Sequence, residues 1–160
     1  MIERITRLTP EFAEAMGRLV PQLSPGLEPP SAAELTAMLS DHRVHLFVAR
    51  SSDGAIQGAV ALVFYRVPTG LRARIEDLVV SQSQRGLGLG KALMLHAMEA
   101  AREEQAHLLD LTSNPSRVEA NQLYLALGFQ RWETNVYRKV LDDRGPRPAG
   151  QVPRPPCFLV

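Results

Sequence analysis

The chain of 160 residues has one cysteine, Cys157, near its C-terminal end. Without a second thiol, neither an internal disulfide framework nor a CxxC metal or redox motif can form, and a reducing, cytoplasmic setting is expected. Long apolar runs are missing as well. Nowhere do about 18 apolar residues follow one another, and the N-terminus has no charged segment leading into an apolar one, so neither a membrane span nor a secretory leader is expected. Charge of one sign is also lacking: 18 basic against 17 acidic residues leave a net charge of +1. That balance excludes the basic footprint of a nucleic-acid binder or of a protein drawn to an anionic membrane. The four histidines, His42, His45, His96 and His107, show no metal-ligand spacing. No metal is expected, and the histidines are placed at the surface or at edges.

What is present is 45% hydrophobic residues, enough for one domain burying roughly 68–70% of its unfolded surface. Residues 2–8 alternate like a strand, and Pro10 opens a stretch with Phe12, Met16, Leu19 and Val20 at helical spacing. Residues 21–30 hold four of the twelve prolines and predict a loop, after which Ser31 can cap a short helix. Residues 44–50 and 56–67 are β-branched and apolar, and the Asp53-Gly54 dipeptide between them signals a hairpin. A third strand over 72–81 runs into a glycine-rich segment, followed by a helix over 88–104 with Leu89, Leu93, Ala97 and Ala101 stacked four apart. A buried strand over 106–113, a helix over 116–129 closed by Gly128, and a long alternating strand over 131–141 complete the body.

The strand-loop-helix-strand unit around 75–111 is a βαβ crossover, so its two strands are expected to be parallel. The fold class is therefore α/β (α+β), a mixed and mostly antiparallel sheet with a central parallel pair, flanked by helices. Residues 1–141 form the domain. Residues 142–160 carry five prolines and read as a tail, whose apolar end, Cys157 to Val160, is expected to dock on its own domain or on a second subunit in a homodimer.

The segment "QRGLGLGKAL", residues 84–93, carries the chemistry. A P-loop needs four residues between its glycines and a Ser or Thr after its lysine, whereas Gly86 and Gly90 enclose three and Ala92 follows Lys91. A dinucleotide fingerprint needs a third glycine where Leu93 stands, counted from Gly88, and it would leave the antiparallel half of the chain without a role. The pattern that fits is R-x-x-G-x-G, with Arg85, Gly88 and Gly90 between a strand and a helix. Backbone N–H groups at a helix start, together with the helix dipole, make an anion site, and glycines let a pyrophosphate approach closely.

With "IEDLVVS" before this loop and "LYLALGF" (123–129) after the next strand, the chain resembles the GNAT superfamily of acyl-CoA-dependent N-acetyltransferases over roughly residues 2–141. The resemblance implies a sheet that splays at the central parallel pair, acetyl-CoA as cofactor, and an amine-bearing acceptor, either a small molecule or a protein amine. It implies that Arg85, Gly86, Leu87, Gly88, Leu89, Gly90 and Lys91 hold the pyrophosphate and that the backbone of Leu78, Val79 and Val80 pairs with the pantetheine arm. Tyr124 is implied as the general acid near the sulfur, and Asn121, one turn earlier, as a cofactor contact. Many relatives carry an asparagine seven residues before the tyrosine; here Arg117 stands there, with Asn114 three residues earlier, so either could supply a cofactor contact. Glu76 is implied as the general base on the strand before the loop, with Asp77 expected on the opposite face of the sheet. Thr112 occupies the place where ribosomal-type N-terminal acetyltransferases use a glutamate. Two competing readings are a non-catalytic acyl-CoA-binding module, which would need the loop but neither Tyr124 nor a base, and a nucleotide-binding oxidoreductase-like domain.

Overall fold

The structure is a computed structural model that describes residues 1–24, 26–139 and 141. Five strands form one sheet in the order β1-β2-β3-β4-β5: Ile2–Ile5, Val44–Arg50, Ile56–Val67, Gly70–Val80 and Leu108–Asp110. The first three junctions are antiparallel and the last, β4 with β5, is parallel. The mixed, mostly antiparallel sheet is as expected; its parallel pair forms one edge of the five described strands rather than its centre. Four helices of more than one turn accompany it among the described residues: α1 (Pro10–Leu19), α2 (Ala32–Ser40), α3 (Leu89–Glu103) and α4 (Val118–Ala126).

Local chemistry explains the helix starts. The Thr9 hydroxyl accepts from the Phe12 N–H, and Pro10, with no N–H to leave orphaned, stands at the first position of α1. At α2, Ser31 and Glu34 form a reciprocal capping box. Gly88 caps α3 in the left-handed conformation, φ +82°, with no side chain bonded to the first turn.

Helices cover both faces of the sheet, which is why the inner strands are apolar at nearly every position. Phe12, Met16 and Leu19 of α1 and Leu35 of α2 pack with Leu46, Val48, Ala59, Ala61 and Val79 on one face. Leu93, Met94, Ala97 and Ala101 of α3 pack with Phe47, Val60, Leu62, Ala73 and Ile75 on the other. From Leu46 to Ala49 and from Ala59 to Phe64, alternate positions of β2 and β3 divide between the two cores; Ile56, beside the register shift at Ala49 and Arg50, falls out of that alternation.

Three further expectations are corrected. Residues 131–139 and 141 form no strand, and Trp132 and Tyr137 are 78% and 88% exposed. An alternating pattern becomes a strand only where an edge supplies hydrogen bonds, and the neighbouring β5 is three residues long. Second, His45 is not at the surface but only 7% exposed, its ring edge-on to Phe64 with centroids 4.8 Å apart. It stands on β2 with Phe47 on the α3 face, where apolar neighbours enclose it. Third, Asp77 does not continue the alternation after Glu76. It adopts φ +51°, and Asp77 with Leu78 stands opposite the single residue Val60, because Glu76 pairs with Ala61 and Val79 with Ala59. This is a β-bulge. The expected tail and its docking end lie outside the described residues.

Leu93 is fully buried between α3 and the sheet. Leu93→Ala is expected to lower unfolding free energy by about 2–5 kcal/mol, measured by urea denaturation with an unchanged m-value.

Candidate functional site: the gap between β4 and β5

The two parallel strands pair only through Arg72 with Leu108, Ala73 with Leu109 and Arg74 with Asp110. Beyond Arg74, β4 continues to Val80 without a β5 partner. The bulge at Asp77 falls within this unpaired stretch, where an extra residue bends the strand and increases its twist. Gly58 of β3 accommodates the bent end. A Cβ there would lie 3.0 Å from the Val79 carbonyl oxygen and 3.1 Å from Leu93 Cδ1. Glycine was not singled out at this position, although an isolated glycine inside an apolar strand signals a bulge or close backbone approach.

At the far end of the gap the chain turns through Gly86 (φ +77°) and Gly88 (φ +82°) into α3. Only glycine tolerates these angles readily. No atom lies within 4 Å of where a Cβ would stand on either residue, so the backbone is open to solvent there. Because Gly88 offers no capping side chain, the first N–H groups of α3 are left for an external acceptor. Leu87 and Lys91 are exposed beside them, and Lys91 has no ion pair among the described residues. Arg85 folds back, its Nε donating to the Val80 carbonyl at 3.3 Å. Gly90 has no unusual dihedral; it sits where Val80 Cγ2 and Leu123 Cδ2 would each be 3.7 Å from a Cβ. Leu89 and Val80 join the α3-side core and Val79 the other.

Through Leu123, α4 therefore lies against both the helix start and the end of β4, and Tyr124 is the next residue. Tyr124 is held from behind. Gly128, at φ +88°, closes α4 by donating its N–H to Leu125 O, and Phe129 donates its N–H to Tyr124 O, the two bonds of a Schellman motif. The Phe129 ring then packs on the Tyr124 ring, centroids 6.1 Å apart, which gives the "LGF" sequence its structural meaning. The Tyr124 side chain is half-buried, and its hydroxyl has no hydrogen-bond partner among the described residues. Burial raises its pKa above 10.0, opposed by the nearby Arg117 guanidinium.

Glu76 lies on the other face, opposite Ala61 and so on the α1 and α2 side. Its carboxylate accepts a close hydrogen bond from Arg74 Nε, while Arg74 Nη2 donates to Thr112 Oγ1 at 3.0 Å. Arg74 was missed in sequence, although residues two apart on a strand share a face. Tyr124 and Glu76 thus stand on opposite sides of the sheet, and only the gap connects them.

The remaining residues expected at the site build the entry to α4. Asn114 Oδ1 accepts from the Ser116 N–H at 2.9 Å, and Asn121 Nδ2 donates to the carbonyls of Asn114 and Arg117, each at 2.9 Å. Arg117 reaches across to donate to the Leu23 carbonyl in the loop after α1. That loop is pinned a second time, where the Gln82 N–H donates to Gln22 Oε1 at 2.9 Å. Beside this contact Gln22, Ser81, Gln82 and Ser83 line an open depression of about 570 Å³.

A splayed parallel pair, a glycine-capped helix start and a tyrosine on the following helix coincide with a family match: residues 10–129 fit the acetyltransferase (GNAT) family. The chain belongs to the GNAT acetyltransferase family. GNAT relatives include streptothricin acetyltransferase of Streptomyces lavendulae, 36% identical over 52% of this chain and 43% of that one. The aminoalkylphosphonate N-acetyltransferase of Salmonella typhimurium is 32% identical over 59% of this chain and 62% of that one. The aligned regions therefore span less than two thirds of the length of these relatives. Among solved structures, an acetyltransferase from Trypanosoma brucei is similar with a TM-score of 0.67 and 28% identity, covering 88% of this chain and all of that one. An aminoglycoside acetyltransferase from an uncultured soil metagenomic sample shares the fold with a TM-score of 0.76 at 18% identity, over 88% of this chain and 96% of that one.

Gly58→Ala would push its Cβ onto the Val79 carbonyl. It is expected to cost about 1–3 kcal/mol of stability, read by urea denaturation.

Proposed function

We propose that this GNAT protein transfers the acetyl group of acetyl-CoA to an amine nitrogen of a bound acceptor, by direct attack in a ternary complex. The observation that carries the reading is the gap itself, bounded at one end by an uncapped helix start and flanked by a tyrosine whose hydroxyl is unengaged. Acetyl-CoA would supply an activated acyl thioester and a pyrophosphate.

In this reading the N–H groups from Gly86 to Lys91 hold the pyrophosphate, with the helix dipole and the Lys91 ammonium adding positive potential. The free edge of Leu78, Val79 and Val80 offers backbone partners along the gap. Tyr124 remains a phenol at neutral pH and can donate its proton to a departing thiolate. Glu76 accepts the proton of the acceptor ammonium through water, because Arg74 already occupies part of its carboxylate. Arg74 and Thr112 are positioning residues for Glu76. Arg117, Asn114 and Asn121 fix the start of α4 and offer contacts for the cofactor. The acceptor enters from the α1 and α2 side, where Glu76 lies, under the loop that Arg117 and Gln82 tether. An amine acceptor accords with the name of the aminoalkylphosphonate N-acetyltransferase, and the reading assigns the protein to the cytoplasm.

Acetyl-CoA is expected to raise the melting temperature and NAD to leave it unchanged, and an amine panel should contain an acceptor that releases CoA thiol. Binding without thiol release from any amine would reduce the protein to a non-catalytic acyl-CoA module, and absence of binding would overturn the reading. Gly88→Val forces a β-branched residue to φ +82° and is expected to abolish acetyl-CoA binding while retaining the fold, checked by calorimetry and circular dichroism. With an acceptor in hand, Tyr124→Phe is expected to lower kcat by about tenfold or more with little change in acetyl-CoA affinity. Since burial moves the Tyr124 pKa above 10.0, loss of its proton should not depress the rate below that pH. Glu76→Gln is expected to lower kcat by about tenfold or more with little change in acetyl-CoA affinity.

A further inference from the structure

A cavity of about 160 Å³ opens at the opposite edge of the sheet from the β4–β5 gap, between β1, β2 and the C-terminal half of α3. His45 lines it from β2. This side chain is only 7% exposed, yet its ring nitrogens make no hydrogen bond with any described residue. Phe64 and Phe47 hold the ring edge-on, with centroids at 4.8 and 6.4 Å, so its orientation is set by packing rather than by a polar partner. Burial, and then the charge of Arg4, keep its pKa below the ordinary histidine value, against the opposing carboxylate of Glu104. The neutral ring presents one donor and one acceptor. With no protein partner, the ring nitrogens of this largely buried side chain are left to whatever occupies the cavity, which calls for an explanation.

The charges around it supply one. Arg4 of β1 and Glu103 and Glu104 at the end of α3 all line the cavity, and none of them is in an ion pair among the described residues. Opposite charges thus share one opening without reaching each other. Glu99, also at the rim, is already engaged by Arg102 at 3.0 Å. Phe47 and His96, rings edge to face at 4.8 Å, form an aromatic wall. No three of these imidazoles and carboxylates converge as metal ligands among the described residues. The volume of about 160 Å³ suits a compact organic molecule and is far too small for a nucleotide.

We infer that this cavity is a second ligand site that takes a small zwitterion of the α-amino acid class, its carboxylate on Arg4, its ammonium on Glu103 and Glu104, and His45 bonding it from below. The inference is independent of the acetyl-transfer reading, because the residues come from different elements or from the opposite end of α3.

The test is a titration of the full-length protein with L-alanine, followed by the imidazole signals of His45 and His96 in nuclear magnetic resonance. Saturable shifts at millimolar concentration are expected, with ethylammonium and acetate each binding at least about tenfold more weakly, as loss of one charge-assisted contact predicts. Arg4→Gln and the double variant Glu103→Gln/Glu104→Gln should each weaken L-alanine binding by about the same factor, with unchanged melting temperature and unchanged acetyl-CoA affinity. No saturable shift with L-alanine, equal binding of ethylammonium alone, or full retention of affinity in either variant would overturn the proposal.

Discussion

One residue out of step in β4 shapes this molecule. Asp77 in the left-handed region places two residues against one on β3, and the strand bends away from β5 after only three paired positions. A parallel pair that continued in register would be a sealed, doubly covered sheet with no access to its edge. The bulge falls where the same strands part into a gap whose walls are backbone, open to partners that approach along the strand. Gly58 permits the bend by leaving room against the Val79 carbonyl. Because Gly58 also abuts Leu93, the α3-side core and the opening are mechanically one unit.

The helices distribute the chemistry around that gap. Capping by Gly88 leaves the first turn of α3 without a side-chain acceptor, so the positive end of its dipole points into open space next to the end of β4. The Schellman motif at Gly128 performs the complementary task on α4, since it seats Phe129 on Tyr124 and restricts the phenol to one side of the sheet. Glu76 and its Arg74 clamp occupy the other side. Tyr124 and Glu76 are separated by the sheet, which would suit the proposed reaction, in which protons leave one reactant and arrive at another from opposite directions.

The loop after α1 completes this arrangement. It is tied down by two contacts, Arg117 to Leu23 and Gln82 to Gln22, which reach it from the two elements that flank the opening. An arginine at 117 therefore joins the loop after α1 to the helix that carries Tyr124. At the other edge of the sheet, the charges around His45 belong to a separate arrangement that uses the far end of α3.

The strands β2 and β3, the starts of α1 and α2, the glycine loop and the βαβ order were legible in the sequence because each rests on local rules: alternation, capping residues, and dihedrals that only glycine accepts. The family resemblance was legible for the same reason, since its motifs are short and contiguous. Only tertiary structure decided the rest. Whether residues 131–139 are a strand depends on an edge to pair with, and the three residues of β5 supply little of one. Asp77 reads as the next alternating position until β3 is laid beside it. His45 reads as a polar residue on a strand until Phe64 and α3 enclose it. Arg74 becomes a partner of Glu76 and Thr112 only when β4 and β5 lie side by side. Local chemistry determined which elements form, while contacts between residues far apart in the chain determined what each side chain faces.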